Sequence, residues 1–420
     1  MNFIEQRISF WGCLLAGALF LVSCSSSGVP DSEISSTSVN PSQAQDKDIP
    51  ITHITPNDIL GTIAVSPDGI YTLQNICAGG ENILYIDFET KQQIFMCSSP
   101  NCTHDAEDCP SYLEFQEGEY GYSVFFHDDA LFLVQTATGT DTPPHIARIS
   151  DDGKEWKNIC VLKSGENFLG PVFGYGEDIL AETICIEDNG HAIKRLEKIN
   201  CTTGNRQTIA SYPDDAYYGA MHAVGNRIAY IKIDGNGYQY FWLDPQQTNL
   251  SISNCVHDTP IDEPFDNEGT GITIQSSYLC KYDYPRERLS AQNLLTGAEI
   301  GLRIPKNLSK DSRPNLLYLF DDRFALTFDG ADGKITSILL DENGNLLDVQ
   351  YKKSKMEPMR IVAVTEDTVF LHNKTITMPL KNQEKYGLTG EICYVDIYSH
   401  ISKEKLLQGG FSEEIAFPAF

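Results

Sequence analysis

Three cysteines and one histidine lie close together in the 420-residue sequence, at Cys97, Cys102, His104 and Cys109. Their pattern is C-x4-C-x-H-x4-C. Three thiolates and one imidazole are a chemically sound tetrahedral ligand set for zinc. Four protein ligands leave no coordination position open, so the pattern predicts a structural zinc that holds a loop rather than a catalytic metal.

Two other chemistries fit the same residues. The order Cys-Cys-His-Cys is that of a zinc knuckle, but the knuckle spacing is C-x2-C-x4-H-x4-C, and the single residue between Cys102 and His104 makes convergence harder. Exported proteins also form disulfides, which would join Cys97 or Cys102 to Cys109. Free thiols are the third alternative, and the sequence leaves all three open.

The other cysteines of the presumed mature chain are scattered singly on or beside strand-like runs. Isolated cysteines of this kind usually behave as small buried hydrophobic residues, so we expect them to be unpaired. They are Cys77, Cys160, Cys185, Cys201, Cys255, Cys280 and Cys393.

Aromatic and arginine side chains form a second candidate site. Such residues are typical of surfaces that bind sugars or peptides. The alternative is that the tyrosines are ordinary strand residues. The predicted ligand-binding face contains Tyr217, Tyr218, Tyr282, Tyr284, Arg286 and Arg288.

An acidic stretch from His257 to Glu268 contains five carboxylates, which are the oxygen ligands that calcium prefers. Its spacing matches no EF-hand loop, so we interpret it as a solvated connection. No nucleophile elbow, H-E-x-x-H pair, P-loop or dinucleotide-binding glycine motif occurs, and the sequence therefore predicts no catalytic residue.

The elements that must position these residues come from a repeat. Seven times, a turn rich in Asp, Asn, Ser or Gly precedes an apolar run, as at Ser66–Gly69 before Ile70–Leu73. Each unit has a second turn marker of the type Asn200 to Gly204, so each unit predicts four strands. Units of this length predict an all-β, seven-bladed β-propeller of four-stranded antiparallel blades. The predicted blade starts lie near residues 60, 121, 171, 219, 270, 315 and 360.

The strand-ending Asp or Asn followed by Thr-Gly resembles the repeats of YWTD-type, TolB-type and quinoprotein propellers, although the quinoprotein tryptophan signature is missing. The cysteine-rich loop after the first unit resembles that of uncharacterised propeller lipoproteins of anaerobic Gram-positive bacteria, which implies no activity. Within a blade, the first and third turns lie on one face, and every such turn is predicted to be short. The long connections therefore all fall on the other face, where binding residues concentrate. They are 98–121, 137–144, 187–192, 254–270, 281–287 and 372–390.

The N-terminus predicts export. Arg7 is followed by a 15-residue apolar run, Ile8 to Val22, which suits a signal peptide and is too short to span a membrane. Leu21-Val22-Ser23-Cys24 resembles the lipobox of bacterial lipoproteins, which implies diacylglycerol on Cys24; an ordinary signal peptide is the alternative. We therefore expect a signal peptide at 1–23, a flexible tether at 24–50 rich in Ser, Pro, Asp and Gln, and a propeller at 51–420.

The formal net charge of −27 excludes nucleic acid as a favourable partner. The predicted function is that of a lipid-anchored surface protein that presents its loop-rich face to a glycan, peptide or protein. An extracytoplasmic carbohydrate-active lyase or hydrolase is the alternative, and a structural role in an envelope assembly is a third.

Overall fold

Each predicted repeat forms one sheet whose strands are hydrogen bonded in chain order, and together they make a seven-bladed β-propeller. In this computed structural model the described residues are 50–418, with gaps at 54–60, 100, 106–107, 116–120, 137–142, 151–152, 154, 187–189, 213–216, 235–236, 247–249, 252–269, 284–287, 304–313, 331, 342 and 355–358. The first strands of the blades begin at residues 63, 123, 166, 217, 270, 315 and 360, which confirms the predicted period.

The first three blades come from residues before 213. Blade 1 contains β2 (Ile63–Val65), β3 (Gly69–Gln74), β4 (Gly80–Asp87), β5 (Gln93–Phe95) and β6 (Tyr112–Glu114). Blade 2 contains β7 (Ser123–His127), β8 (Ala130–Gln135), β9 (His145–Ile149) and β10 (Trp156–Val161). Blade 3 contains β11 (Glu166–Tyr175), β12 (Asp178–Ile186), β13 (Ala192–Asn200) and β14 (Arg206–Tyr212), joined by β1 (Ile51–His53).

The remaining blades follow in order. Blade 4 contains β15 (Tyr217–Val224), β16 (Arg227–Asp234) and β17 (Gly237–Leu243), followed in the chain by β18 (Leu250–Ser251). Blade 5 contains β19 (Thr270–Gln275), β20 (Tyr278–Asp283), β21 (Arg288–Asn293) and β22 (Glu299–Arg303). Blade 6 contains β23 (Asn315–Tyr318), β24 (Phe324–Asp329), β25 (Lys334–Leu340) and β26 (Leu346–Ser354). Blade 7 contains β27 (Arg360–Val364), β28 (Thr368–Pro379), β29 (Ile392–Ser402) and β30 (Glu413–Glu414), with a short 3-10 turn, Gln383–Tyr386, and one helix, α1 (Lys403–Leu407).

The turn residues produce this regularity for identifiable reasons. Asp321 and Asp322 have φ values of 45° and 57°, the left-handed pair that a tight hairpin turn needs. In the second turn series, Asn200 Oδ1 accepts the Thr203 N–H at 2.8 Å, and the turn then ends at Gly204 with φ 70°. We call the face that bears both turn series the short-turn face and the opposite one the long-loop face.

The core lies between blades, where neighbouring sheets pack face to face. Between blades 2 and 3, the fully buried Phe125 and Phe132 stack at 4.9 Å, and Phe168 and Ile179 belong to the same cluster. Equivalent clusters lie between blades 1 and 2, 3 and 4, 5 and 6, 6 and 7, and 7 and 1, so the sheets of blades 1, 2, 3, 6 and 7 bury both faces.

Three details differ from the sequence prediction. The strand expected after Thr248 does not complete blade 4, because β18 pairs in parallel with β14 of blade 3. The first eight residues of the predicted loop 372–390 are strand, since β28 runs to Pro379. The connection 403–412 contains α1, so one turn on the short-turn face is long.

The chain enters the propeller on the short-turn face. Ile51 pairs with Tyr175, the last residue of β11, and its N–H donates to Gly225 O at 2.8 Å in the first turn of blade 4. Strand β1 then runs antiparallel to β11 towards the long-loop face. Among the described residues, no helix has the length and apolar character needed to cross a membrane.

Blade 3 also buries an ionic cluster. Arg206 donates to Glu166 Oε2 at 2.7 Å through Nη1 and to Glu197 Oε2 at 2.9 Å through Nε, and both carboxylates are buried. Burial opposes ionisation of Glu166, but the bonds from Arg206 outweigh it and hold the pKa of that carboxyl below its usual value. Removing one partner of a buried ion pair leaves an uncompensated charge.

We expect Arg206→Met to lower the free energy of unfolding by about 3–5 kcal/mol at neutral pH. Because the pKa of Glu166 is lowered in the folded wild type, its stabilisation is present above the unfolded pKa and is lost as the pH falls through the folded pKa. In the variant, acid protonates the carboxylates of Glu166 and Glu197, which have lost Arg206, and so removes the free-energy cost of their buried charge. Urea denaturation should therefore show the difference between the two proteins narrowing towards acidic pH.

The matched control is Arg195→Met, because Arg195 bonds only Glu166 Oε1, at 3.3 Å, from a partly exposed position. We expect it to cost less than about 1 kcal/mol. Equal losses for the two variants at neutral pH would contradict the assignment of Arg206 as the central cation.

Candidate metal centre at the junction of the first and last blades

The cysteine-rich segment is an insertion in the outer strand of blade 1. Both β5 and β6 pair antiparallel with β4, β5 opposite Leu84–Ile86 and β6 opposite Gly80–Asn82. Between them, Ile83 O accepts the Met96 N–H at 3.0 Å, and the Ile83 N–H donates to Ser111 O at 2.7 Å. The predicted connection 98–121 is therefore interrupted by a strand: the chain leaves the sheet after Met96, returns to it at Ser111 and forms β6 before it continues to blade 2.

The four predicted ligand residues converge inside this insertion. The three sulfurs and one ring nitrogen all lie within 4.8 Å of one another, and Cys109 Sγ is 3.5 Å from His104 Nδ1. Zinc bonds of ~2.3 Å to sulfur and ~2.0 Å to nitrogen require ligand atoms ~3.5–4 Å apart. A small contraction would therefore give tetrahedral coordination. The nine described cysteines form no disulfide.

The backbone supplies a hydrogen bond to one sulfur of the cluster. The N–H of His104 donates to Cys102 Sγ at 3.4 Å, so one ligand residue holds the sulfur of another. A donor aimed at sulfur favours the charged thiolate, which is the form that binds metals.

His104 solves the spacing problem that the sequence posed. Its φ of 57° is left-handed, and this backbone reversal turns its ring and the Cys102 side chain to the same side. The ring stacks on Phe95 with centroids 4.1 Å apart. The His104 carbonyl accepts Asn82 Nδ2 at 2.7 Å, which ties the loop to strand β4. The position of the imidazole is thus fixed by a ring contact and a buried amide.

The thiols differ in their surroundings. Burial opposes ionisation of Cys97, but hydrogen bonds from Ser99 and the two neighbouring thiols outweigh it, so its pKa is lowered. Burial raises the pKa of Cys109 and raises that of Cys77, directly beneath the cluster, to about 12. Desolvation by burial also lowers the pKa of the nearby Lys381 ammonium. A divalent cation would supply the positive charge that this group of thiols needs to ionise together.

Blade 7 contacts the insertion and its support. The Ala78 N–H donates to Lys381 O at 2.8 Å, and the Lys381 N–H donates to Ile76 O at 3.0 Å. Asn382 Nδ2 donates to Asp105 O within the insertion at 2.8 Å. Below these contacts, Ile76, Leu84 and Phe95 of blade 1 pack against Cys393, Val395 and Ile397 of blade 7. The candidate metal centre therefore lies at the junction of the first and last blades.

The predicted ligand-binding face is only partly visible. Tyr282 does not offer its ring to a ligand, because it is buried between blades 5 and 6 and its hydroxyl donates to Asn315 Oδ1. Arg288 is exposed at the start of β21, on the long-loop face. Tyr217 and Tyr218 lie in β15. Tyr284, Arg286, Cys24, Cys255 and the acidic stretch 257–268 lie outside the described residues.

The expectation that isolated cysteines are buried holds for Cys77, Cys160, Cys201, Cys280 and Cys393, whereas Cys185 is partly exposed. The sequence analysis did not place Cys77 or Cys393 near the cluster. Cys77 packs against Cys109, and Cys393, almost three hundred positions after Cys97, comes close to it through closure of the ring.

A polar group that the sequence analysis missed lies in blade 7. Asp396 Oδ1 accepts His372 Nε2 at 3.1 Å and Thr375 Oγ1 at 2.8 Å, and the Asp396 N–H donates to Gln74 Oε1 of blade 1 at 3.1 Å. Thr375 Oγ1 also lies 3.4 Å from His372 Nε2, but the carboxylate is its nearer acceptor, so the group is not arranged as a nucleophile bonded to its base. It links the strands of blade 7 to blade 1.

No family model matches the sequence, and no curated protein matches it. Among solved structures, the chain is similar to a prolyl endopeptidase, with a TM-score of 0.50 and 10% identity over 86% of this chain and 50% of that one. It is also similar to a puromycin-hydrolyzing peptidase of Mycobacterium tuberculosis, with a TM-score of 0.48 and 11% identity over 85% of this chain and 53% of that one. TolB from Acinetobacter baumannii matches with a TM-score of 0.31 and 13% identity over 68% of this chain and 61% of that one. The chain spans about half the length of the two peptidases. At these identities, the likeness shows the propeller fold alone.

We expect Asn82→Leu to destabilise the protein by about 1–3 kcal/mol, because the His104 carbonyl loses its buried donor. Asn343→Leu is the control, since Asn343 is exposed in a turn of blade 6, and it should change stability by less than about 0.5 kcal/mol. Chemical denaturation of both variants measures the difference. Similar small effects at the two positions would show that Asn82 does not hold the insertion.

Proposed function

We propose that this chain is an exported binding or interaction protein, anchored by lipid on Cys24, with its long-loop face directed away from the membrane. The single observation that supports this orientation is the point where the chain enters the propeller. Ile51 is hydrogen bonded beside the first turns of blades 3 and 4, which lie on the short-turn face. A tether that ends there leaves the opposite face free.

The distribution of connections supports the same assignment of faces. The strand ends that lie on the long-loop face are joined by connections that span 136–144, 252–269, 304–314 and 380–391, and the insertion 96–111 contacts residue 382 of the last of these. On the short-turn face, only 403–412 is comparably long. Residues that bind ligands concentrate on loops positioned by a rigid scaffold. The proposed ligand is a glycan, peptide or protein, with Arg288, Arg286, Tyr284, Tyr217 and Tyr218 as its candidate contacts.

The anchoring part predicts that Cys24→Ala removes the protein from the membrane fraction or leaves an unprocessed precursor, because the lipid has no other attachment thiol at the predicted cleavage site. Cys13→Ala, within the apolar run, is the control and should fractionate and mature like the wild type. Immunoblots of fractionated cells and the mass of the mature protein give the readout. A Cys24→Ala protein with unchanged processing and membrane association would refute the anchor.

The binding part predicts that Arg288→Glu weakens binding of the full chain, purified in detergent, to its ligand on glycan and peptide arrays. Loss of one charged contact worth ~1.4 kcal/mol corresponds to about tenfold in affinity. Lys405→Glu reverses an exposed charge on the short-turn face and is the matched control. If Lys405→Glu impairs binding as much as Arg288→Glu does, the assignment of faces is wrong. If the wild type binds nothing on either array, a glycan or peptide ligand is refuted.

A further inference from the structure

We propose that Cys97, Cys102, His104 and Cys109 bind one Zn²⁺, and that this ion holds the junction between blades 1 and 7. The inference does not depend on the lipid anchor or on any ligand of the long-loop face. It rests on the convergence of four ligand atoms, on the hydrogen bond made to Cys102 Sγ, and on the contacts between the insertion and blade 7.

The geometry favours a metal over a disulfide. A disulfide joins two sulfurs and needs neither the third cysteine nor the imidazole, yet all four ligand atoms meet within 4.8 Å. Cys109 Sγ lies 3.5 Å from His104 Nδ1, and the His104 N–H donates to Cys102 Sγ at 3.4 Å, so the histidine contacts two of the three cysteines. Such a donor stabilises a negative sulfur, whereas a disulfide sulfur carries no charge to stabilise. Ligands fixed by surrounding hydrogen bonds are typical of metal sites.

The donor set favours zinc over other common cations. Calcium and magnesium prefer oxygen ligands, and this cluster offers three sulfurs and one nitrogen. Zinc accepts thiolate and imidazole in tetrahedral geometry, and four protein ligands complete its coordination. The ion would therefore be structural.

The insertion needs such a support because it leaves the sheet at Met96 and rejoins it at Ser111. Among its described residues, Cys97 and Cys102 N–H groups make only short-range backbone bonds, to Phe95 O and Ser99 O. A short segment without a sheet partner or a core of its own depends on a staple or a metal for order. Metal binding would supply folding free energy at this point of the ring.

The same insertion is part of the surface on which blade 7 docks. Asp105 lies next to the ligand His104 and accepts the Asn382 amide of blade 7. His104 stacks on Phe95, which belongs to the apolar cluster shared by the two blades. Loss of the ion would release His104, and with it the stacking on Phe95 and the hydrogen bond between Asp105 and Asn382. The effect of metal removal should therefore appear at the junction rather than throughout the propeller.

The first experiment measures metal content and thiol state of the full chain purified in detergent with Zn²⁺ in the growth medium. We expect one zinc per chain, and a tetrahedral thiolate absorption spectrum after substitution with Co²⁺. His104→Asn should lose the metal while tolerating the left-handed φ, and His104→Cys should retain it because a fourth thiolate replaces the imidazole. Cys280→Ala removes a buried thiol of blade 5 and should keep one zinc.

The second experiment locates the effect by hydrogen exchange with and without a zinc chelator. In the wild type, chelation should accelerate exchange of the Ala78 and Lys381 amides, which bond across the junction, and leave the amides of blade 5 unchanged. In His104→Asn, those amides should exchange rapidly whether or not chelator is present. His104→Cys distinguishes loss of the metal from a general folding defect.

Several results would overturn the proposal. A mass gain of two hydrogens on reduction of a zinc-free wild type would assign the cluster as a disulfide. Free thiols without bound metal would refute the site altogether. Zinc bound through these residues with unchanged exchange at Ala78 and Lys381 would refute the role at the junction. Uniformly faster exchange in all blades after chelation would contradict the local effect.

Discussion

The stability of a ring of sheets depends on the junction where its last sheet meets its first. Among the strands that the structure describes, none is shared across that junction, since blade 1 uses residues 63–114 and blade 7 uses residues after 359. Closure therefore depends on packing and on hydrogen bonds between loops. Ile70 and Ile86 of blade 1 pack against Phe370 and Tyr398 of blade 7, and the Lys381 backbone pairs with the segment before β4. Contacts elsewhere in the ring connect neighbours in sequence, but these connect its two ends.

The outer edge of blade 1 shows how a sheet can hold an insertion without losing register. Strand β4 offers one continuous edge, and β5 and β6 occupy it in turn. The Ile83 carbonyl accepts the Met96 N–H where the chain leaves the sheet, and the Ile83 N–H donates to Ser111 O where it returns. The two ends of the insertion are therefore held side by side. The same arrangement covers an edge that would otherwise expose unpaired backbone groups. The cysteines can thus vary in position within the insertion while the blade remains intact.

The sequence predicted the features that depend on local chemistry. Turns such as Asp321-Asp322 and Asn200 to Gly204 follow from residues that accept a left-handed backbone or bond their own main chain, and they set the number of blades. The four ligand residues were also recognisable from their types. Their placement was not, because the return of the chain to β4 depends on pairing with residues about thirty positions earlier. The burial of Tyr282 has a similar cause: its hydroxyl partner, Asn315, belongs to the next blade.

The two faces of the propeller are ordered by different means. On the short-turn face, Asn and Asp side chains accept N–H groups of their own turns, as Asp87, Asn293 and Asp341 do. The long-loop face lacks such turns at the junction, so its backbone groups require partners from elsewhere: Asn82 for His104, Asn382 for Asp105, and Gln74 for Asp396. All three amides hold loops or strands of blades 1 and 7 to each other or to their own sheets. A metal bound by the insertion would act at the same place and in the same way, because it too would connect groups that no local turn can satisfy.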